Sequence, residues 1–329
     1  MTGNSGAKRF ALIGVAGYIA RRHLSAIKDT GGKLVAAFDI GDSVGQMDAS
    51  FPEARFFTEF ERFGEHIERL RTQEQPVEHI AICSPNYLHK SHAGFALRSG
   101  ADAICEKPLV LEPSDIDALA DLEKQTGRRV NTILQLRLHA SIIALKKQIE
   151  ADRSGRKFDA ELTYVTARGH WYYESWKGQP AKSGGIATNI GVHFFDMLSF
   201  VFGRPIANVV HHRAVDCASG YLEYERARVR WFLSINKRDK APGEGFAQRS
   251  LTIKDVGVYD FSKGFEDLHT VSYQEILAGR GFPLSAARPS IETVAHIRNA
   301  PVDTNKGAAH PQLASVLSDS QRYHDGYPV

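Results

Sequence analysis

Apolar residues along this chain recur in two rhythms. Short, nearly continuous apolar runs at Phe10 to Val15, Lys33 to Phe38, Val77 to Ser84, Ala101 to Glu106 and Arg129 to Leu134 predict strands buried on both faces. Helical patterns lie between them. Glu59 to Arg71 sets Phe60, Phe63, Ile67 and Leu70 on one face, and Leu88 to Ser99 predicts another helix. A third opens at Pro113 and Ser114, runs through Lys124 and stops at Gly127. The alternation over residues 1–134 predicts a doubly wound parallel sheet with right-handed crossovers. Within it, residues 1–7 are small and polar and read as a loose tail.

The rhythm changes near residue 135. A helix from about His139 to Ala151 precedes segments with β character: Phe158 to Ala167, Ile206 to Val215, Tyr221 to Tyr224, Ala227 to Ile235, Gln248 to Lys254 and Gly257 to Phe261. Leu251 and Ile253 alternate with Thr252, which suits a sheet with one face solvated or covered by a partner. Gly184 to Phe202 is a helical pattern rich in Ile, Phe and Leu. Asp267 to Ala278 and Ser290 to Asn299 read as further helices, the latter begun by Pro289, and Asn236 to Gly245 reads as a loop. The predicted class is therefore α/β plus α+β. An N-terminal doubly wound parallel sheet over residues 1–134 is followed by an open-faced, mostly antiparallel β-sheet domain over 135–329.

The first apolar run leads into a turn of small residues. Gly14, Gly17 and Ala20 stand where a chain must turn tightly, approach a phosphate and pack a helix on a strand. Two residues separate Gly14 from Gly17, a departure from the common GxGxxG spacing. The backbone N–H groups of Ala16, Gly17, Tyr18 and Ile19, with a helix expected from Tyr18 onward, suit a pyrophosphate. The second run ends on Asp39, 25 residues after Gly14, where a carboxylate can accept from the ribose diol of a dinucleotide and repel a 2′-phosphate. That favours NAD, although strand ends often carry Asp at the start of a loop.

Charge and composition narrow the classes. The 41 basic and 38 acidic residues are interspersed, which gives no support to nucleic-acid or membrane-surface binding. Cys83, Cys105 and Cys217 form no CxxC pair and read as buried thiols in a reducing cytoplasm, not as a disulfide or metal framework. Lys8 and Arg9 before Phe10 to Ala20 imitate a signal peptide, but two glycines interrupt the run and Arg21, Arg22 and His23 follow it. No stretch reads as long enough to span a membrane.

Ligands of open parallel sheets lie beyond the carboxyl ends of the strands. There the chain carries SPNYLH (Ser84, Asn86, His89) and EKP (Glu106, Lys107, Pro108), with prolines that fix local φ beside Asn86 and Lys107. In the second domain GGIATNIGVHFFD supplies Asn189, His193 and Asp196. On a helix Asn189 and His193 share a face, and Asp196 is placed to orient the imidazole. A histidine near its reference pKa of about 6.5 accepts an alcohol proton at neutral pH, and a lysine stabilises the developing alkoxide. Taken singly, His193 also reads as a satisfied histidine of an apolar helix and Lys107 as a solvated lysine at a strand end.

Together the glycine turn, SPNYLH, EKP and GGxxxNxGxHxxD resemble the glucose–fructose oxidoreductase/inositol dehydrogenase family over nearly the whole chain. The resemblance implies a Rossmann domain plus an open-faced β-sheet domain and homo-oligomers, dimers or tetramers, built through the sheet face. It implies catalytic roles for Lys107 and His193, with the family's acidic or amide residue upstream of the histidine falling on Asn189. Cofactor positions fall on Gly14, Gly17, Asp39, Ser84, Asn86, His89 and Glu106. ALIGVAGYIA, AICEKPLV, LQLRLH and ARGHWYYESWKG resemble, more narrowly, the WlbA/WbpB-type UDP-N-acetylglucosaminuronate 3-dehydrogenases of bacterial diacetamido-uronic acid (O-antigen, lipopolysaccharide) biosynthesis. This implies NAD-dependent oxidation of the sugar 3-hydroxyl, with some relatives reoxidising NADH in place by 2-oxoglutarate. A uronate and a diphosphate both need cationic or N–H donors and a sugar can lie on an aromatic face, so Arg137, Arg168, Trp171, Tyr172 and Lys177 are candidate substrate residues. The last four also read as an aromatic loop packed over the second sheet. A free-sugar or inositol dehydrogenase, or a non-catalytic NAD-binding regulator, are the rival readings.

Overall fold

The structure, a computed structural model, describes residues 6–240, 247–261 and 267–319. Residues 1–5 of the expected tail and 241–245 of the expected loop lie outside the described residues. The chain divides into two compact units, Met1–Gln135 with Asp267–Arg288, and Leu136–Glu266 with Pro289–Val329. A single break near 135 was expected. Instead the helix Leu268–Leu277 returns to the first unit, where Tyr273 and Ile276 join the apolar core around Phe10 and Ile27.

The first unit holds a six-stranded sheet of β1 (Arg9–Ile13), β2 (Lys33–Phe38), β3 (Arg55–Phe57), β4 (His79–Ile82), β5 (Asp102–Cys105) and β6 (Val130–Thr132). Its order is β3-β2-β1-β4-β5-β6 and every pairing is parallel, so the topology switches direction between β1 and β4. β4 is buried throughout and β1 nearly so, as continuous apolar runs require. The three-residue β3 was not expected; Arg-Phe-Phe is too short to show a period. The helix Phe60–Thr72 buries Phe63, Ile67 and Leu70 as its spacing predicts. The helix Pro113–Thr126 begins on its proline and stops at Gly127. After the glycine turn, however, the helix starts at Ala20, not Tyr18. Gly17 N–H bonds Gly14 O at 3.1 Å and Ala20 N–H bonds Gly17 O at 3.1 Å, which makes residues 17–19 a turn.

The second unit carries the open sheet: β7 (Phe158–Thr166), β8 (Pro205–Arg213), β9 (Cys217–Tyr224), β10 (Ala227–Ser234), β11 (Ala247–Ile253) and β12 (Gly257–Asp260). Its order is β12-β11-β7-β10-β9-β8, antiparallel except for the β7–β10 pair. One face is apolar and takes the helix Val192–Phe202, whose Phe195 meets Trp231 edge-on at 5.4 Å. The other face carries ion pairs of Glu161 with Arg230, Glu223 with Lys157 and Asp159 with Arg228. The helix expected over Gly184 to Phe202 is interrupted. A short helix Pro180–Ser183 ends at Gly184, a π-helical turn spans Ala187–Gly191, and the α-helix begins at Val192. By length and hydropathy Pro180–Phe202 does pass as a membrane span, contrary to expectation, yet 72% of its most apolar window is buried within the protein. It is a core segment. Pro289 likewise lies inside the helix Leu284–Asn299 instead of starting it. All three cysteines are buried, with no disulfide among them.

His310 ties the helix Pro311–Ser318 to the sheet. Its Nδ1 accepts from Gln312 N–H at 3.2 Å, its Nε2 lies 3.1 Å from Thr163 Oγ1, and its ring stacks on Phe232. A neutral ring satisfies both bonds, and burial, then Arg230, lowers its pKa from 6.5 to about 4. The unfolded chain therefore takes up the proton first. This contribution to stability is complete above pH 6.5 and is lost as pH falls toward 4. The urea midpoint is expected to drop between pH 7 and 4.5, and His310→Asn, which can still cap the helix but does not titrate, is expected to narrow that drop; an unchanged pH dependence contradicts the assignment.

Candidate active site

The glycine turn sits at the switch point of the parallel sheet. Gly14 has φ +87°, and a Cβ there would lie 2.6 Å from the Cys83 carbonyl carbon and 2.7 Å from Ser84 N. No other residue fits between these backbones without moving one of them. Asp39 closes the turn: its Oδ2 accepts from Ala16 N–H at 2.9 Å and its Oδ1 from Gly41 N–H at 3.0 Å. Each oxygen retains a lone pair, so the carboxylate can still accept from a ribose diol. Gln46 Nε2 bonds Val15 O and draws the loop after β2 onto the turn. Ile40, which the motif reading missed, is 87% exposed immediately beyond Asp39. An apolar side chain left in water beside a strand-end acid offers a flat contact for a purine. The cradle, the acid and the apolar face together fit a dinucleotide.

The loops after β4 and β5 carry the other candidates of this unit. Ser84 Oγ lies 2.8 Å from His92 Nδ1, and Asn86 is buried in the turn that opens the helix His89–Arg98. His89, expected at the cofactor, has a different task. Its Nδ1 lies 2.6 Å from Pro108 O and its Nε2 2.8 Å from Ser84 O, so the buried ring fastens the two loops together. Burial lowers its pKa against the two carbonyls, which favour the charged ring. The Glu106 side chain also turns inward, bonded by His23 and His269. Those partners have no local signature, since they come from residues 83 and 163 positions away. Lys107 follows, half-buried, with its N–H on Glu106 Oε2 at 3.2 Å.

In the second unit the π-helical turn carries Asn189, and His193 lies in the first turn of the helix that follows. Gly191 between them faces β10, where a Cβ would come within 2.6 Å of Leu233 Cδ1. Asn189 Nδ2 donates to Tyr172 Oη at 2.7 Å. Tyr172, expected against substrate, is 3% exposed and holds this amide; burial raises its pKa while Asn189 opposes the shift. Asp196, expected to orient the imidazole, is instead bound bidentately by Arg137, at 2.9 Å from Nε and 2.7 Å from Nη2. Burial pushes the Asp196 carboxyl above its usual range even with Arg137 against it. Those two guanidinium nitrogens, expected on substrate, are engaged within the protein. Trp171 is 55% exposed, and the Lys177 ammonium lies 4.4 Å from the Trp176 ring centre and 5.7 Å from that of Trp171. Burial, then Arg168, lowers the Lys177 pKa. Trp171, Lys177 and the half-buried Arg168 thus gather cationic and aromatic surface on one segment.

Comparison with known proteins bears on both units. Residues 8–133 match the oxidoreductase family with NAD-binding Rossmann fold, and residues 146–242 match the C-terminal alpha/beta domain of the same oxidoreductase family. The WlbA (WbpB) dehydrogenase from Thermus thermophilus, solved in complex with NAD and UDP-GlcNAcA, is 48% identical, covers 92% of this chain and 99% of its own, and has a TM-score of 0.89. The same dehydrogenase solved with NAD and alpha-ketoglutarate gives the same values. The 1,5-anhydro-D-fructose reductase of Ensifer adhaerens is 25% identical over 205 residues, 61% of this chain. The match spans 59% of that curated relative's length. Two family matches on the two units that the structure resolves lead to one conclusion: the chain belongs to the Gfo/Idh/MocA oxidoreductase family, whose first domain is an NAD-binding Rossmann fold and whose second is an alpha/beta domain.

Proposed function

We propose that this protein oxidises the 3-hydroxyl of UDP-N-acetyl-D-glucosaminuronic acid to the 3-keto sugar with NAD, in the cytoplasm, as a step toward diacetamido-uronic acids of lipopolysaccharide O-antigen. The observation that carries this is the 48% identity, over 92% of the chain, to a dehydrogenase crystallised with NAD and UDP-GlcNAcA. Lys107 and His193 stand at the positions where the family's resemblance puts proton handling.

NAD, when bound, accepts the hydride that leaves the sugar carbon. The rest falls to the chain. The Tyr18 and Ile19 N–H groups bind the pyrophosphate, those of Ala16 and Gly17 being held within the turn by Asp39 and by Gly14 O. Asp39 accepts from the ribose hydroxyls and Ile40 lies against the purine. Ser84 and Asn86 serve the cofactor from their loop, while His89 and Glu106 act from beneath by fixing the loops. His193 takes the hydroxyl proton, and Lys107 donates a hydrogen bond to the oxygen as negative charge develops there. Asn189, oriented by Tyr172, holds the sugar near His193. Arg168 and Lys177 meet the diphosphate and uronate charges and Trp171 carries the ring. Arg137 acts through Asp196 on the helix that bears His193. The ion-paired face of the second sheet joins subunits into a homo-oligomer.

A second reading concerns only how the cofactor turns over. The Thermus thermophilus dehydrogenase was also solved with alpha-ketoglutarate. This favours reoxidation of NADH in place by a 2-oxo acid over its release.

Three outcomes test the proposal. Lys107→Ala and His193→Asn are each expected to lower turnover by roughly 10²- to 10⁴-fold while leaving NAD affinity, read by fluorescence titration, nearly unchanged; equal loss of NAD binding contradicts their roles. Asp39→Ser is expected to shift the NAD over NADP preference by roughly tenfold or more toward NADP, because the repelling charge is removed; an unchanged ratio of kcat/KM values overturns that role. Gly14→Ala is expected to weaken NAD binding by about tenfold or more, since the added methyl must displace the Cys83–Ser84 backbone; calorimetry with wild-type affinity contradicts the cradle.

A further inference from the structure

A carboxylate shielded from water lies at the start of the lysine loop. Glu106 is 5% exposed, and its Oε1 is reached by His23 Nε2 at 3.0 Å and by His269 Nε2 at 2.8 Å. Its Oε2 accepts the Lys107 backbone N–H at 3.2 Å. Both histidines are buried. An ionised carboxylate only accepts, so each ring presents an Nε2–H to it. For His23 this leaves Nδ1 as an acceptor, and the Tyr273 hydroxyl lies 2.8 Å away to donate to it. Burial pushes the Glu106 carboxyl up, but the bonds from His23 and His269 outweigh it and hold the pKa well below the usual carboxylate range. The result is one buried negative charge held between two imidazole N–H donors. Three elements meet there: the helix after the glycine turn, the loop after β5, and the helix Leu268–Leu277.

We propose that His269 and His23 are positioning residues for Lys107. By holding Oε1 they turn the Glu106 carboxylate so that Oε2 meets the Lys107 N–H, and so fix the direction in which the lysine leaves the strand end. The inference rests on the assignment of Lys107 to proton handling given above. The same three ligand atoms lie within 4.8 Å of one another, a donor set that zinc also accepts. The hydrogen-bonded arrangement is favoured because both ring nitrogens lie at hydrogen-bond distance from one and the same oxygen, which is how two N–H donors share an acceptor.

Two measurements on the full-length protein decide this. In ¹⁵N-histidine-labelled protein, His23 and His269, assigned by single substitution, are expected to show Nε2–H tautomers with slowly exchanging ring protons, and elemental analysis is expected to find no stoichiometric metal. An Nδ1–H tautomer for either ring, or one zinc per chain, overturns the proposal. In kinetics, His269→Ala is expected to lower kcat by roughly 10- to 100-fold, as small misplacements of a reacting group do. The sugar KM and NAD affinity stay within about twofold, and His269→Gln, which keeps an N–H, restores part of the rate. The basic limb of the kcat pH profile moves with the displaced lysine. A limb that stays in place while thermal stability falls marks a merely structural role and overturns positioning. Lys107→Ala is measured alongside: if it remains active the assignment of Lys107 itself fails, whereas an inactive Lys107→Ala beside a fully active His269→Ala overturns only the positioning. Should His269→Ala not fold, the glutamine variant and the tautomers decide.

Discussion

Nothing larger than hydrogen fits on residue 14. The backbone of β1 turns there with φ +87° and passes so close to Cys83 and Ser84 that a methyl group would collide with the end of β4. β1 and β4 are the strands between which the sheet reverses direction. This close approach fixes where the turn of Ala16 to Ile19 opens, lets Asp39 reach back to the Ala16 N–H, and sets SPNYLH beside it. The cofactor site of the first unit is in this sense a consequence of one missing side chain.

Each unit buries a carboxylate where water cannot reach, and each of the two is balanced locally. Glu106 is held by two imidazoles and Asp196 by a bidentate guanidinium. The cost of burying a carboxylate is offset in both, yet the results differ: Glu106 is held well below the usual carboxylate range, whereas burial still dominates at Asp196. Such pairs add little net stability compared with apolar replacements, but they fix direction. Each lies next to a residue assigned to proton transfer: Glu106 precedes Lys107, and Asp196 lies three residues after His193.

The parallel sheet was legible because its strands are apolar runs separated by helical periods, and the open sheet because residues such as Leu251 and Ile253 alternate with Thr252. Asp39 and the lysine loop were legible as punctuation at strand ends. What escaped was nonlocal. No pattern within a dozen residues joins His23, Glu106 and His269, and the return of Leu268–Leu277 to the first unit depends on Tyr273 and Ile276 finding Phe10 and Ile27. The π-helical turn before His193 escaped because its extra residue leaves the apolar period nearly intact. Pro289 was read as a helix start, since proline suits a first turn, whereas here the apolar Leu284 and Ala287 extend the helix before it. Tyr172, Arg137 and Asp196 were assigned by residue type to substrate or catalysis; the structure engages them with Asn189 and with each other.

That the bond broken is the one between carbon 3 of the nucleotide sugar and its hydrogen is the core of the proposed reaction. It is tested most directly with UDP-N-acetylglucosaminuronic acid carrying deuterium at carbon 3, mixed with the protein and NAD, and with the mass of the NADH formed read after a single turnover. NADH heavier by one deuterium is expected, formed more slowly than from the unlabelled sugar. Unlabelled NADH at an unchanged rate, or no NADH from this sugar while NAD still binds, would contradict it.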